Sequence, residues 1–418
     1  MTQTATLSTL PSSDTPPSLL RIAGLPYFLI AFVARLPFAM MVVGVLTLAV
    51  TARGSLSLGG LTSATVGLGT ACVGPLLGAA ADRFGQRMVL LIAALGNATA
   101  LVLFTLAAYS TLPDGVVLLS AFAIGATAPQ VAPMSRSRLV TMITERMEPS
   151  RHPRVIGSTL AYESAADETV FVFGPFLVGI LASAIAPWAP LLIGAALTLL
   201  FVGAFALHPS GSHISAARSG AGAVLSPVRE LFRARLLVVV AGMLGVGLFF
   251  GSMLTSLTSF MDDRGHPEQA GLLYGVMGIG SAILALGVAF LPARFTLRSR
   301  WLVFAAVMFG GSLLLLLTRD VATMCVALAL MGIGTGPTLV TQFSFGAAHT
   351  PAGRSATVMT MLGSAIIVGQ SLGAAVTGQI AESAGTAGAL LVPIAAAFIV
   401  ILSGVVNASL NNPHRSSR

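Results

Sequence analysis

Long apolar runs separated by short polar turns dominate the chain. A helix needs about twenty apolar residues to cross the hydrocarbon core of a bilayer. Twelve stretches meet that length, near 24–50, 57–80, 88–110, 114–134, 157–184, 187–207, 237–260, 269–292, 301–318, 321–343, 356–381 and 387–408. Lipid offers no partner to a backbone N–H or C=O, so these stretches are read as helices. They are also too long for the roughly ten-residue strands of a membrane barrel. The longest polar interruption falls between spans six and seven and is rich in Ser, Gly and Arg. The expected division is a disordered cytoplasmic tail at 1–22, a six-helix bundle at 23–207, a cytoplasmic linker at 208–236, a second bundle at 237–408 and a short cytoplasmic tail at 409–418. The first tail is Ser-, Thr- and Pro-rich and has neither the basic start nor the apolar core of a signal peptide.

The two halves resemble each other. A shift of 211 residues superposes Thr47 on Thr258, Arg53 on Arg264, Gly60 on Gly271, Gly67 on Gly278 and Gly69 on Gly280. It also carries Arg83, Phe84 and Arg87 onto Arg294, Phe295 and Arg298, while Asp82 falls on Ala293. Later in each half, Gly174 and Leu177 fall on Gly369 and Leu372 at a shift of 195. The ladder predicts a duplicated six-helix unit, with the copies in parallel orientation.

Composition narrows the class. Hydrophobic residues make up 55% and charged ones 9%, too few to coat a soluble fold of this size. Every one of the 22 basic residues is arginine. With abundant Ala and Gly, that suggests a GC-rich bacterial gene, so the expected location is the inner cell membrane. With the N-terminus inside, eighteen arginines fall on the cytoplasmic side and only Arg53, Arg264 and Arg319 outside, while Arg35 lies within a helix. That asymmetry places both termini in the cytoplasm. The formal charge of +8 does not imply nucleic-acid binding, because the arginines are dispersed among short loops. Without lysine there is no Walker phosphate loop, so no ATP-hydrolysing site is expected. Cys72 and Cys325 fall in apolar segments and are read as small packing residues. No histidine stands at metal-ligand spacing, so neither metal nor cofactor is expected.

The stretch from Gly78 to Arg87, GAAADRFGQR, joins spans two and three. Its Gly78, Asp82, Arg83, Gly85 and Arg87 resemble the loop signature of the major facilitator superfamily, with Gln86 where that family often has a basic residue. The resemblance implies a twelve-helix fold of two parallel six-helix repeats. It also implies that Asp82 sits against the start of helix eleven, near Ser355 to Thr357, as a conformational gate. Gly174 and Pro175, in FVFGPFLVG, are similar to the helix-five signature of antiporters in that family and predict a kink. An ordinary membrane-helix kink explains them equally well. The family's arginine in helix four has no evident counterpart, since that segment reads GATAPQVAPMSRSR.

Ionisable residues inside a span are costly, so each is a functional candidate. Helix one carries Arg35, and helix five carries Glu163, Asp167 and Glu168. Glu163 and Asp167 are four apart and share a face. Arg35 and Asp167 fall at similar depth, roughly 15 Å in from the cytoplasmic side at 1.5 Å per residue. Neighbouring helices one and five, implied by the resemblance, make Asp167 the first partner for Arg35 and Glu163 the second. Such a pair either fixes helix packing or carries a proton. Glu163 lying near the cytoplasmic mouth would instead be solvated, and Glu168 points about 100° away from Asp167. Gln130, Gln342 and Gln370 are candidate substrate contacts, although solvation or interhelical hydrogen bonds would also explain them. The glycines of GPLLG at 74–78 and GQSLG at 369–373 fit close helix approach, while GIGTG at 332–336 lacks the context of a nucleotide site.

Together these features predict a monomeric, proton-coupled efflux transporter of the major facilitator type, with a small lipophilic substrate. Proton-coupled uptake of a nutrient such as a sugar or amino acid is the alternative. A membrane sensor or enzyme is a remoter one, since the chain offers neither a soluble domain nor a catalytic set.

Overall fold

The computed structural model describes residues 18–211, 225–266, 269–292 and 294–410. Among them are twelve helices long and apolar enough to cross a membrane. They are α1 (Leu25–Arg53), α2 (Leu58–Phe84), α3 (Gln86–Tyr109), α4 (Asp114–Arg146), α5 (Pro149–Ala184), α6 (Ala189–Leu207), α7 (Ala234–Asp262), α8 (Ala270–Phe290), α9 (Leu297–Leu317), α10 (Val321–Ala348), α11 (Ser355–Ala389) and α12 (Leu391–Leu410). A short helix, Leu19–Ala23, capped by the Ser18 hydroxyl, precedes α1, so the expected tail gives way to ordered structure before residue 22. Most of the expected linker, 212–224, and the C-terminal residues 411–418 lie outside the described residues, while Ser409 and Leu410 still belong to α12.

The repeat is visible in the packing. α1 packs on α5 as α7 packs on α11, α2 on α4 as α8 on α10, and α3 on α6 as α9 on α12. Arg53 ends α1 and donates to the carbonyls of Ala107, Ala108 and Leu112 at the end of α3. Arg264, its counterpart beyond α7, donates to the Arg319 carbonyl beyond α9. Between the halves, α11 meets α2 and α4, while α5 meets α8 and α10. Glycines permit the closest of these approaches. A β-carbon at Gly74 would stand 2.6 Å from Ser364 Oγ, and one at Gly78 would collide with Thr360 Oγ1. In GIGTG, Gly332 and Gly336 pack on α8 and Gly334 on α9, which gives that motif a purely helical use.

Two helices are broken where proline removes a donor. α1 turns at Ala34–Arg35, four residues after Ile30 and just before Pro37. α4 consists of Asp114–Ala126 and Val131–Arg146, separated at Pro129. The Gly125 carbonyl at the break accepts from the Ala128 N–H and from the Thr70 hydroxyl of α2, each at 3.2 Å. The lower part of α4 then runs for 16 residues, well past the expected end at 134. Arg136 and Arg138 are therefore buried helix residues and not loop arginines. Cys72, expected as a packing residue, is exposed on α2.

Candidate functional site

The break in α1 places Arg35 at the N-cap of its second segment, Leu36–Arg53, buried and facing α5. Its Nη2 donates to Glu163 Oε2 in a close ion pair, and its Nε lies 3.4 Å from Asp167 Oδ1. The other Glu163 oxygen accepts from Ser135 Oγ of α4 at 3.0 Å, and Tyr27 Oη stands 2.9 Å from that same hydroxyl. One turn along α5, Asp167 Oδ2 accepts from Arg136 Nη2 at 2.6 Å. The Arg136 guanidinium also lies over the Phe343 ring of α10, 3.8 Å from its centroid, so this cation touches both halves. Stacking of that kind suits a weakly hydrated guanidinium. Two arginines thus face two carboxylates, and the four-residue cluster is neutral. Buried charges persist only when paired and hydrogen-bonded in this way.

Glu168 stands apart from that balance. Its Oε1 accepts from Ser281 Oγ of α8 at 2.8 Å, across the junction between the halves. Its Oε2 is buried with no hydrogen-bond partner, and none of the described arginines is ion-paired with it. Chemically, the site offers one neutral cluster and one leftover acid.

Several expectations change here. Glu163, not Asp167, makes the closer contact with Arg35, and it is 0% exposed, not solvated at a mouth. Helix four does supply an arginine, Arg136, because the helix resumes after Pro129 and continues through it. Arg136, Ser135, Tyr27 and Phe343 were missed. The signal for Arg136 was available, since Val131, Met134, Leu139, Met142 and Ile143 keep helical spacing through the two arginines. His152–Ala184 stays helical through Gly174 and Pro175, so proline does not end the helix there as Pro129 does in α4. What Gly174 supplies is close approach, because a β-carbon there would stand 2.6 Å from Ala39 Cβ of α1. Gln130 is buried and donates to the Ala128 carbonyl within the α4 break, a local turn contact. Gln342 is fully buried with neither side-chain atom hydrogen-bonded, and Gln370 is half-buried on α11. A groove of about 430 Å³ lies away from the charges, between α2, α7 and α11, with Pro75, Leu244, Met361 and Ser364 in its wall.

Where α2 turns into α3, Asp82 ties α2 to the start of α11. Its carboxylate accepts from the backbone N–H of Ala356 at 3.1 Å and of Thr357 at 2.6 Å, and from the Thr357 hydroxyl at 2.6 Å. These are first-turn donors of α11 with no partner in their own helix, at its positive end. Gly85, at φ 93°, makes the tight turn that a side chain would strain, and Arg83 and Arg87 are exposed. Gln86 is buried and accepts from Arg138 Nε at 3.2 Å. Arg138 also donates to the Phe205 carbonyl and Ser210 Oγ, each at 3.0 Å, near the negative end of α6. Burial and this neighbouring cation hold the His208 imidazole below its usual value. Asp82→Asn is expected to weaken the α2–α11 closure by roughly 1.5–3 kcal/mol, the worth of hydrogen bonds to a charged group. About 1.4 kcal/mol is already tenfold in population. Cysteine-accessibility labelling of both mouths reads the shift, and unchanged labelling with full transport would contradict it.

The chain matches the sequence model of the Major Facilitator Superfamily over residues 27–364. No curated protein matches it in sequence. Among solved structures it is similar to the human organic anion transporter TETRAN, at 18% identity and a TM-score of 0.69, covering 94% of this chain and 100% of that one. It is also similar to a bacterial homologue of the iron transporter ferroportin in an outward-facing state, at 15% identity and a TM-score of 0.65, covering 90% and 99%. The E. coli fucose:proton symporter follows at 15% identity and a TM-score of 0.61, covering 91% and 99%. At these identities the likeness is one of fold.

Proposed function

The chain belongs to the major facilitator superfamily, and from that premise we propose that it couples proton entry to efflux of a small lipophilic molecule by alternating access. The observation that carries the proton coupling is the leftover acid. Glu163 and Asp167 are matched by Arg35 and Arg136, so removing either charge would strand a buried partner. Glu168 has only a serine donor, so it gains or loses a proton without stranding any cation. An ionised carboxyl without a counter-charge is costly in a low-dielectric interior, which favours its use as an exchangeable site. The fold itself accommodates such coupling, since one similar structure is a proton symporter.

Orientation follows from the arginine asymmetry, which supports both termini in the cytoplasm of a bacterial inner membrane and a closed cytoplasmic mouth at Asp82. The arrangement is then outward-facing. Efflux is supported by the resemblance of Gly174 and Pro175 to the antiporter signature, and a lipophilic substrate by the apolar groove on the helix flank. The proposed working unit is the monomer.

Proton flux in everted vesicles tests the proposal, screened over dyes, drugs, sugars and amino acids. Efflux by antiport releases protons from the vesicle lumen when a lipophilic substrate is added. Flux of the opposite sign, elicited by a sugar or an amino acid, would establish uptake by symport instead.

A further inference from the structure

The two six-helix copies place the same pair of small residues at the same point, but they use it differently. At the shift of 211, Thr70 on α2 and Gly125 on α4 superpose on Ser281 on α8 and Gly336 on α10. In the first half the hydroxyl is spent at home, since Thr70 Oγ1 donates to the carbonyls of Val66 at 3.0 Å and Gly125 at 3.2 Å. In the second half Ser281 Oγ crosses to the other half and donates to Glu168 Oε1. Gly336 fixes this direction, because a β-carbon there would collide with the Ser281 carbonyl oxygen and stand 2.9 Å from Ser281 Oγ. The junction related by the repeat, α11 against α2, has no such acid. At the shift of 195 the place of Glu168 is taken by Gly363.

We propose that Ser281, held in place by Gly336, is the positioning residue through which the second half senses the charge of Glu168 and closes against α5. This rests on the reading of Glu168 as the proton-carrying acid. The ionised carboxylate accepts the Ser281 hydrogen bond strongly and ties α8 to α5, and protonation weakens that tie. Other groups do not supply the signal. On α5, Asp167 is occupied by Arg136 and Arg35. On α1 and α4 those two arginines are engaged by Glu163 and Asp167. On α8 the ionisable side chain within electrostatic reach is the half-buried Tyr274, a phenol that is neutral near neutral pH. α10 carries no Asp, Glu, Arg or His between Val321 and Ala348.

The test needs no substrate. Gly179→Cys on α5 and Gly271→Cys on α8 place labels at exposed positions where a β-carbon meets nothing within 4 Å. With Cys72→Ser and Cys325→Ser as background, spin labels at the two sites report the α5–α8 separation against pH in nanodiscs. The reference protein should show two populations exchanging with a defined pH midpoint. Ser281→Ala should move that midpoint up by about one pH unit, because the ionised form loses its donor. Ser281→Thr should restore it, and Gly336→Ala should follow Ser281→Ala. An unmoved midpoint in Ser281→Ala, with pH dependence lost in Glu168→Gln, overturns the role of Ser281 and leaves Glu168 as the proton carrier. Persistent pH dependence in Glu168→Gln, or none in the reference protein, overturns the reading of Glu168 itself.

Discussion

Arg35→Ala is expected to cost about 3–5 kcal/mol of folding stability, because it strands a buried carboxylate. Glu163 is fully buried and would keep only the Ser135 hydroxyl as a direct donor. Asp167 would retain Arg136, so the loss should be concentrated on Glu163. Adding Glu163→Gln removes the stranded charge while preserving shape, and the double variant should recover most of the stability. Arg35→Lys should be intermediate, since a single ammonium cannot reach two carboxylates with a planar fork. Thermal unfolding of detergent-purified protein, with membrane yield alongside, measures all three. A double variant no better than Arg35→Ala would contradict the pairing with Glu163 and make Asp167 the principal partner of Arg35.

Glu168→Gln is expected to abolish accumulation driven by a pH gradient while sparing substrate exchange. Exchange needs the halves to rock but moves no net proton. For one proton per substrate, each unit of pH gradient supports roughly tenfold accumulation, and that factor should collapse to one. Glu163→Gln and Asp167→Asn should behave differently. Each strands an arginine, so their main effect should be lost stability, with pH drive surviving in whatever protein folds. Side-by-side counterflow and gradient-driven assays in proteoliposomes separate the cases. Retained pH drive in Glu168→Gln would remove it from the coupling step.

The sequence made the architecture legible because lipid enforces it. Segment length gives twelve spans, and the glycine and arginine ladder gives the duplication that Arg53 and Arg264 display at equivalent helix ends. The position of Asp82 against Ala356 and Thr357 was also readable, through a motif whose geometry travels with the fold. The charge cluster was readable only in part. Arg136 and Arg138 look like loop residues when charges are counted, and only the apolar spacing around them shows that α4 continues. Which acid Arg35 prefers depends on the turn at Ala34–Arg35, which rotates the guanidinium toward Glu163, and spacing along α5 carries no record of it. The partner of Glu168 lies on α8, more than a hundred residues away, and no local pattern announces Ser281.

The claim that one unbalanced acid supplies the coupling is tested most directly by counting protons on the purified protein. Titration with a pH indicator across the neutral range should show about one proton fewer bound by Glu168→Gln than by the unsubstituted protein. Glu163→Gln combined with Arg35→Ala should leave that proton in place. Equal proton uptake by the unsubstituted protein and Glu168→Gln would contradict the claim.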